Sequence, residues 1–183
     1  EKIPGSPLAR RPGMTGVRAI VFRRTTLHCY RSSRQPRASM TASSRDRLEH
    51  ALARIADPAG EGARTCLTVY AEAARQAADA ADARARSGAS RGPLDGAVIT
   101  IKDLFDVAGE VTRAGSRVLA ARGRPAAADA PAVARLRAAG AVIVAKTNMT
   151  EFAYSGIGAN PHFGTPGNPA DRARVPGGSS SGA

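Results

Sequence analysis

With 183 residues and 43% apolar content the chain has room for one domain with a hydrophobic core, and no apolar run approaches the roughly 20 residues a membrane-spanning helix needs, so no membrane partner is expected. The net charge of +12 suggests nucleic acid, but nine basic residues and one acidic fall in residues 1–39, which leaves +4 for the rest. The chain has no Trp and 4% aromatic residues, too few for a surface that stacks on bases.

Residues 1–39 are rich in Arg and Ser, poor in acids and without a sustained apolar period. They read as an unstructured or non-native leader ahead of a start at Met40, with an organellar transit peptide as the alternative. Cys29 and Cys66 are too far apart to form a metal or redox pair, and both read as free thiols in a reducing, cytoplasmic compartment. His28, His50 and His162 form no spaced pair, so neither a metal site nor a cofactor is expected.

Past Met40 the pattern becomes regular. Residues 40–183 read as part of a single domain, helical over 43–90, with a βαβ unit and a catalytic loop over 92–183. Ser43 or Ser44 caps a first helix in which Leu48, Leu52 and Ile55 recur at i, i+4 and i+7, and Pro58 with Gly60 ends it. A second, Ala-rich helix is predicted over 67–86, with Tyr70, Ala74, Ala77 and Ala81 along one face. "SGASRG" reads as a loop, and residues 93–96 as a turn. Residues 97–102, "AVITIK", carry β-branched side chains on both faces, which predicts a strand buried on both sides.

A helix follows near 130–139. Asp129 suits its cap, Pro131 its first turn, Val133 and Leu136 its buried stripe, and Gly140 the position past its end. Residues 141–146, "AVIVAK", form a second apolar strand. Strand, helix, strand makes a βαβ unit with parallel strands and a right-handed crossover, and the fold class is α/β.

Ligands of open α/β sheets bind beyond the carboxyl ends of the strands, and Lys102 and Lys146 each sit at such an end. The chain has 24 Arg and three Lys, so a lysine kept here calls for a property that arginine lacks. That property is the ability to lose a proton when desolvated and so to act as a general base. Lys102, followed at once by Asp103, reads as functional. For Lys146 the functional reading and that of a side chain snorkelling to water stand equal.

The chain closes on "VPGGSSSGA". Residues 178–182 satisfy G-x-S-x-G with Ser180 at the centre, but the preceding "NPADRARVPGG" is no buried strand, and the nucleophile-elbow reading fails on context. A phosphate loop lacks its G-x-x-x-x-G-K-[ST]. Taken alone, the run reads as a small-residue linker.

It does not stand alone. "GPLDGAVITIKDLFDVAG", "TRAGS", "LRAAGAVIVAKTNMTEFAYSG" and "VPGGSSSGA", in this order and spacing, resemble the amidase signature family. That family includes amidases of small amides, fatty acid amide hydrolase, allophanate hydrolase and the A subunit of glutamyl-tRNA(Gln) amidotransferase. The resemblance covers residues 92–183, and residues 1–39 match nothing in it. It implies a mixed sheet covered by helices and a Ser-Ser-Lys triad. In that triad Lys102 is the general base and Ser179 the proton-relay serine entered through a cis peptide, with Gly177, Gly178 and Ser180 supporting the loop. The family's nucleophile is a serine in a later Gly-rich segment, which puts it, with most of the oxyanion hole, beyond Ala183.

The implied activity is hydrolysis of a linear carboxamide, with the 183 residues expected to be an inactive N-terminal fragment by themselves. One alternative is a glutaminase of the tRNA-dependent amidotransferase type; another, from a different class, is a non-catalytic fragment or binding module. "KTNMTEFAYSG" contains Asn148-x-x-Glu151, a helix-start pattern, and by resemblance lies beside the acyl channel. Met149 and Tyr154 are candidates to line that channel, and Phe152 is assigned to packing. The expected partner is a small-molecule amide, with nucleic acid involved only if the protein is amidotransferase-like, and a homodimer is a candidate assembly.

Overall fold

A computed structural model describes residues 42–183. The readings of residues 1–39, His28 and Cys29 therefore lie outside the described residues. Helix α1 (Ser44–Ala56) begins at Ser43 through a reciprocal capping box: the Ser43 hydroxyl accepts the Asp46 N–H, and the Asp46 carboxylate accepts the Ser43 N–H. Such a cap stabilises a helix by about 1 kcal/mol. Leu48 is fully buried, and Leu52 and Ile55 pack against the same cluster.

A short helix α2 (Gly62–Thr65) runs directly into strand β1 (Cys66–Val69), and helix α3 (Ala71–Arg86) follows. The second predicted helix thus starts at Ala71 rather than at 67. The physical reason is pairing: Thr68 and Val69 are strand formers, and the open edge of a later strand offers them backbone partners. Helix α3 buries Ala74, Ala78 and Ala81, whose small side chains let it lie close against its neighbours.

Strand β2 (Val98–Lys102), helices α4 (Arg117–Arg122) and α5 (Pro131–Ala138) and strand β3 (Val142–Thr147) complete the regular elements, followed by a 3-10 turn at Glu151–Ala153. The sheet order is β1-β3-β2, with β2 parallel and β1 antiparallel to β3. Central β3 is buried at every residue. On one face Val142, Val144 and Ala145 pack with Leu48, Ala74 and Ala78; on the other Ile143 packs with Ile101, Val107 and Val133. Helices cover both faces of a mixed sheet, as an α/β fold requires.

Two further local expectations are corrected, and one element is new. Strand β2 is not buried on both sides: Ile101 is buried but Thr100 is exposed, and among the described residues β2 has one neighbour and lies at the sheet edge. Helix α5 is flanked by Ala130, not capped by Asp129; the Asp129 carboxylate instead accepts the Ala108 N–H at 2.9 Å and pairs with Arg137 at 2.9 Å. Helix α4 has no counterpart among the sequence-based elements, since it buries no residue and so carries no apolar stripe.

The amino ends of β2 and β3 are locked together. Gly96 N–H donates to Gly140 O at 2.9 Å, and Arg84 grips Asp95 through two nitrogens at 3.1 and 2.5 Å. A side chain at Gly140, where φ is +84°, would run into the Asp95 carboxylate. Among the described residues no helix is long and apolar enough to cross a membrane, and no cluster of three or more His, Cys, Asp or Glu suits a metal ion.

Candidate active site

The carboxyl ends of β2 and β3 bring candidate site residues together. Strand alternation turns Lys102 to the face opposite Ile101, and its Nζ lies 2.6 Å from Ser179 Oγ, 77 residues further along. An ammonium donates this hydrogen bond; a neutral amine accepts the serine proton over the same distance. Partial burial pushes the Lys102 pKa below the ordinary lysine value of 10.5. The Gly178–Ser179 peptide is cis.

The segment after β3 holds the serine loop. Thr150 N–H donates to Ser179 O at 2.9 Å, and Gly182 N–H donates to Asn148 O at 3.0 Å. Asn148 is itself pinned: its side-chain amide donates to Arg64 O at 2.9 Å and Gly164 O at 2.8 Å. Asn160 does the same further out, donating to Gly115 O at 2.9 Å and Met149 O at 2.7 Å. The loop also packs backbone to backbone. A Cβ at Gly178 would come within 2.6 Å of Gly158 N, and one at Gly158 would overlap Gly177 O. Ser180 is exposed and Ser181 buried.

Lys146 does not snorkel. It is 1% exposed, and its Nζ lies 3.3 Å from Asp103 Oδ1. Asp103, also 1% exposed, accepts the Gly115 N–H on its other oxygen at 3.4 Å. Four buried polar atoms have no hydrogen-bond partner among the described residues: Lys146 Nζ, Ser116 Oγ, Thr150 Oγ1 and Ser181 Oγ. They lie respectively at the end of β3, in the turn beside Asp103, in the segment after β3 and in the serine loop.

The structure brings Lys102, Ser179 and the loop residues Gly177 and Gly178 together, and it separates the channel candidates. Met149 is fully buried and offers no surface to a ligand, whereas Tyr154 is 93% exposed. Phe152, assigned to packing, is 58% exposed with φ of +51°. Here the backbone makes the contact: Phe152 N–H donates to Ala114 O at 2.8 Å, and the ring is left outside. Asn148 caps no helix; Thr150 precedes the 3-10 turn, and Asn148 bonds the loops instead. Sequence reasoning missed Asn148 and Asn160 as staples; for Asn148 a polar residue directly after an apolar strand was the available signal, and Asn160, in a later loop, had none.

The family model described as Amidase matches residues 46–183. The A subunit of glutamyl-tRNA(Gln) amidotransferase from Anaeromyxobacter dehalogenans is 48% identical over 146 residues, covering 79% of this chain and 29% of the relative. AtzE of Pseudomonas sp., one of the subunits of 1-carboxybiuret hydrolase, is 47% identical over 146 residues, covering 79% of this chain and 31% of the relative. The chain therefore spans less than a third of either relative's length. The crystal structure of a peptide amidase from Stenotrophomonas maltophilia superimposes with a TM-score of 0.67 at 35% identity, covering 77% of this chain and 30% of that one.

Proposed function

Because the chain belongs to the amidase family, we propose that it supplies the base and the relay of a Ser-Ser-Lys amide hydrolase, with Lys102 as general base and Ser179 as relay. The observation that carries this reading is the 2.6 Å approach of Lys102 Nζ to Ser179 Oγ. Neutral Lys102 takes the Ser179 proton as Ser179 takes the proton of the attacking hydroxyl, and the relay reverses to protonate the departing amine. Burial supports the step, since it lowers the cost of holding Lys102 neutral. The resemblance gives the nucleophile to a later serine in the family's pattern, and we assign that role to none of the 183 residues.

The proposed substrate is a linear carboxamide. A second reading, glutamine hydrolysis within a multi-chain amidotransferase, adds partner chains; the 48% identity to the Anaeromyxobacter relative supports it about as well as the 47% identity to AtzE supports hydrolysis. A cytoplasmic setting belongs to the same proposal; among the described residues Cys66 forms no disulfide, and burial pushes its thiol pKa up.

Lys102→Ala and Lys102→Arg should each lower kcat for amide hydrolysis by about 10²-fold to 10⁴-fold in the gene product that carries this sequence. Retention of most activity by Lys102→Arg would remove the base assignment. A fluorophosphonate probe should leave the 183-residue chain unlabelled, and labelling would overturn the placement of the nucleophile.

A further inference from the structure

Beyond the relay itself, we propose that the buried pair Lys146 and Asp103 is a positioning device that ties the strand end carrying Lys102 to the strand end carrying the Ser179 loop. The inference rests on the reading of Lys102 and Ser179 as base and relay.

Asp103 is the residue next to the base, and it is held in four directions. Its N–H donates to Thr147 O at 3.0 Å, its carbonyl accepts the Ala114 N–H at 2.9 Å, and its carboxylate meets Gly115 N at 3.4 Å and Lys146 Nζ at 3.3 Å. Lys146 lies two residues before Asn148 and four before Thr150, whose carbonyl and N–H bond Gly182 and Ser179 respectively. One half of the relay thus hangs from β2 and the other from β3. The Lys146–Asp103 contact is the charged side-chain tie between them, placed one residue from the base, beside the Thr147 hydroxyl that donates to Ile101 O at 3.3 Å.

Stability alone does not account for the pair. Two charges, each 1% exposed, lose their hydration, and such a pair generally contributes less than apolar residues of the same volume. Among the described residues the Lys146 ammonium has no aligned hydrogen bond, which leaves part of that loss uncompensated. What the pair adds is direction: an ionic contact fixes the Asp103 carboxylate, and with it the backbone that sets where Lys102 begins. A small misplacement there matters, since an error of about 1 Å at reacting groups costs about 10²-fold in rate.

The experiment compares Lys146→Met, Asp103→Asn and the double variant Lys146→Met with Asp103→Asn in the gene product, reading the urea midpoint, kcat and KM. Lys146→Met leaves a buried carboxylate unpaired and should lower both midpoint and kcat. The double variant removes both charges and should regain most of the midpoint while kcat stays at least about tenfold down, with KM within about twofold because neither residue meets substrate. Recovery of kcat together with the midpoint would overturn the proposal, leaving the pair a packing element. If the double variant does not fold, Asp103→Asn decides: it keeps an acceptor for Gly115, and wild-type kcat in it would equally overturn the tie. Lys102→Ala measured alongside separates the two readings. Activity in that variant sinks the relay itself, whereas an inactive Lys102→Ala beside a fully active double variant sinks the pair alone.

Discussion

Near their amino ends β2 and β3 are bordered by groups that find partners; among the described residues, the buried polar atoms without a partner lie near their carboxyl ends. Asp95 receives two Arg84 nitrogens at 3.1 and 2.5 Å and the Arg91 N–H at 2.9 Å. Asp103 receives one backbone N–H at 3.4 Å and faces an ammonium at 3.3 Å. Natural folds pair nearly every buried polar atom, because an unpaired one costs about 1–3 kcal/mol. The amino end obeys that rule and serves as scaffold. Among the described residues the exceptions gather at the carboxyl end, around Lys146, Ser116, Thr150 and Ser181, which is where Lys102 and Ser179 meet.

The sharpest way to break this contrast is to crowd each end in turn. Gly158 has φ of +82°, and an added Cβ would overlap Gly177 O and come within 2.9 Å of Pro176. Gly158→Ala should push the serine loop off Lys102 and lower kcat by about 10²-fold or more, measured as amide hydrolysis by the gene product. Gly140→Ala crowds the other end, against Asp95, at a φ of +84°. It should cost about 2 kcal/mol of stability, read as a lower denaturation midpoint, while the folded fraction keeps its specific activity. Loss of activity in fully folded Gly140→Ala would mean that the two ends are not separable.

Much of this contrast is readable from residues alone. The apolar strands, the Gly past α5 and the two lysines at the strand ends follow from pattern and from the scarcity of Lys in an Arg-rich chain. The partner of Lys146 is not readable, because it depends on which face of β3 the side chain takes. A register irregularity between Ile99 and Thr100 resets that parity, pairing Thr100 with Ala145 and Ile101 with Lys146. Strand β1 is equally hidden, since its four residues become a strand only against the free edge of β3, far later in sequence. Phe152 and Met149 exchange the expected roles, one outside and one inside, because backbone bonds to Ala114 and Asn160 decide that segment and apolarity does not.

The smallest effect tests the amino-end tie through pH. Hydrogen bonds from Arg84 and then from the Arg91 N–H hold the Asp95 carboxyl well below the ordinary 3.8, at about 2. A carboxyl lowered on folding contributes stability that is present above its unfolded value and is lost as pH falls through its folded value. The Asp95 contribution should therefore be intact at pH 6, begin to fade near pH 4 and be mostly lost by pH 2. Asp95→Asn keeps the shape and removes the titration, so its urea midpoint should lie below wild type at pH 6, with most of that gap closed by pH 2. Glu49, held at about 2 by Arg75 and Arg45, titrates in both proteins and cancels in the difference. A gap that persists unchanged at pH 2 would mean that Asp95 acts by shape and not by charge, and the amino end would then owe its order to Gly140 and the Gly96 backbone bond.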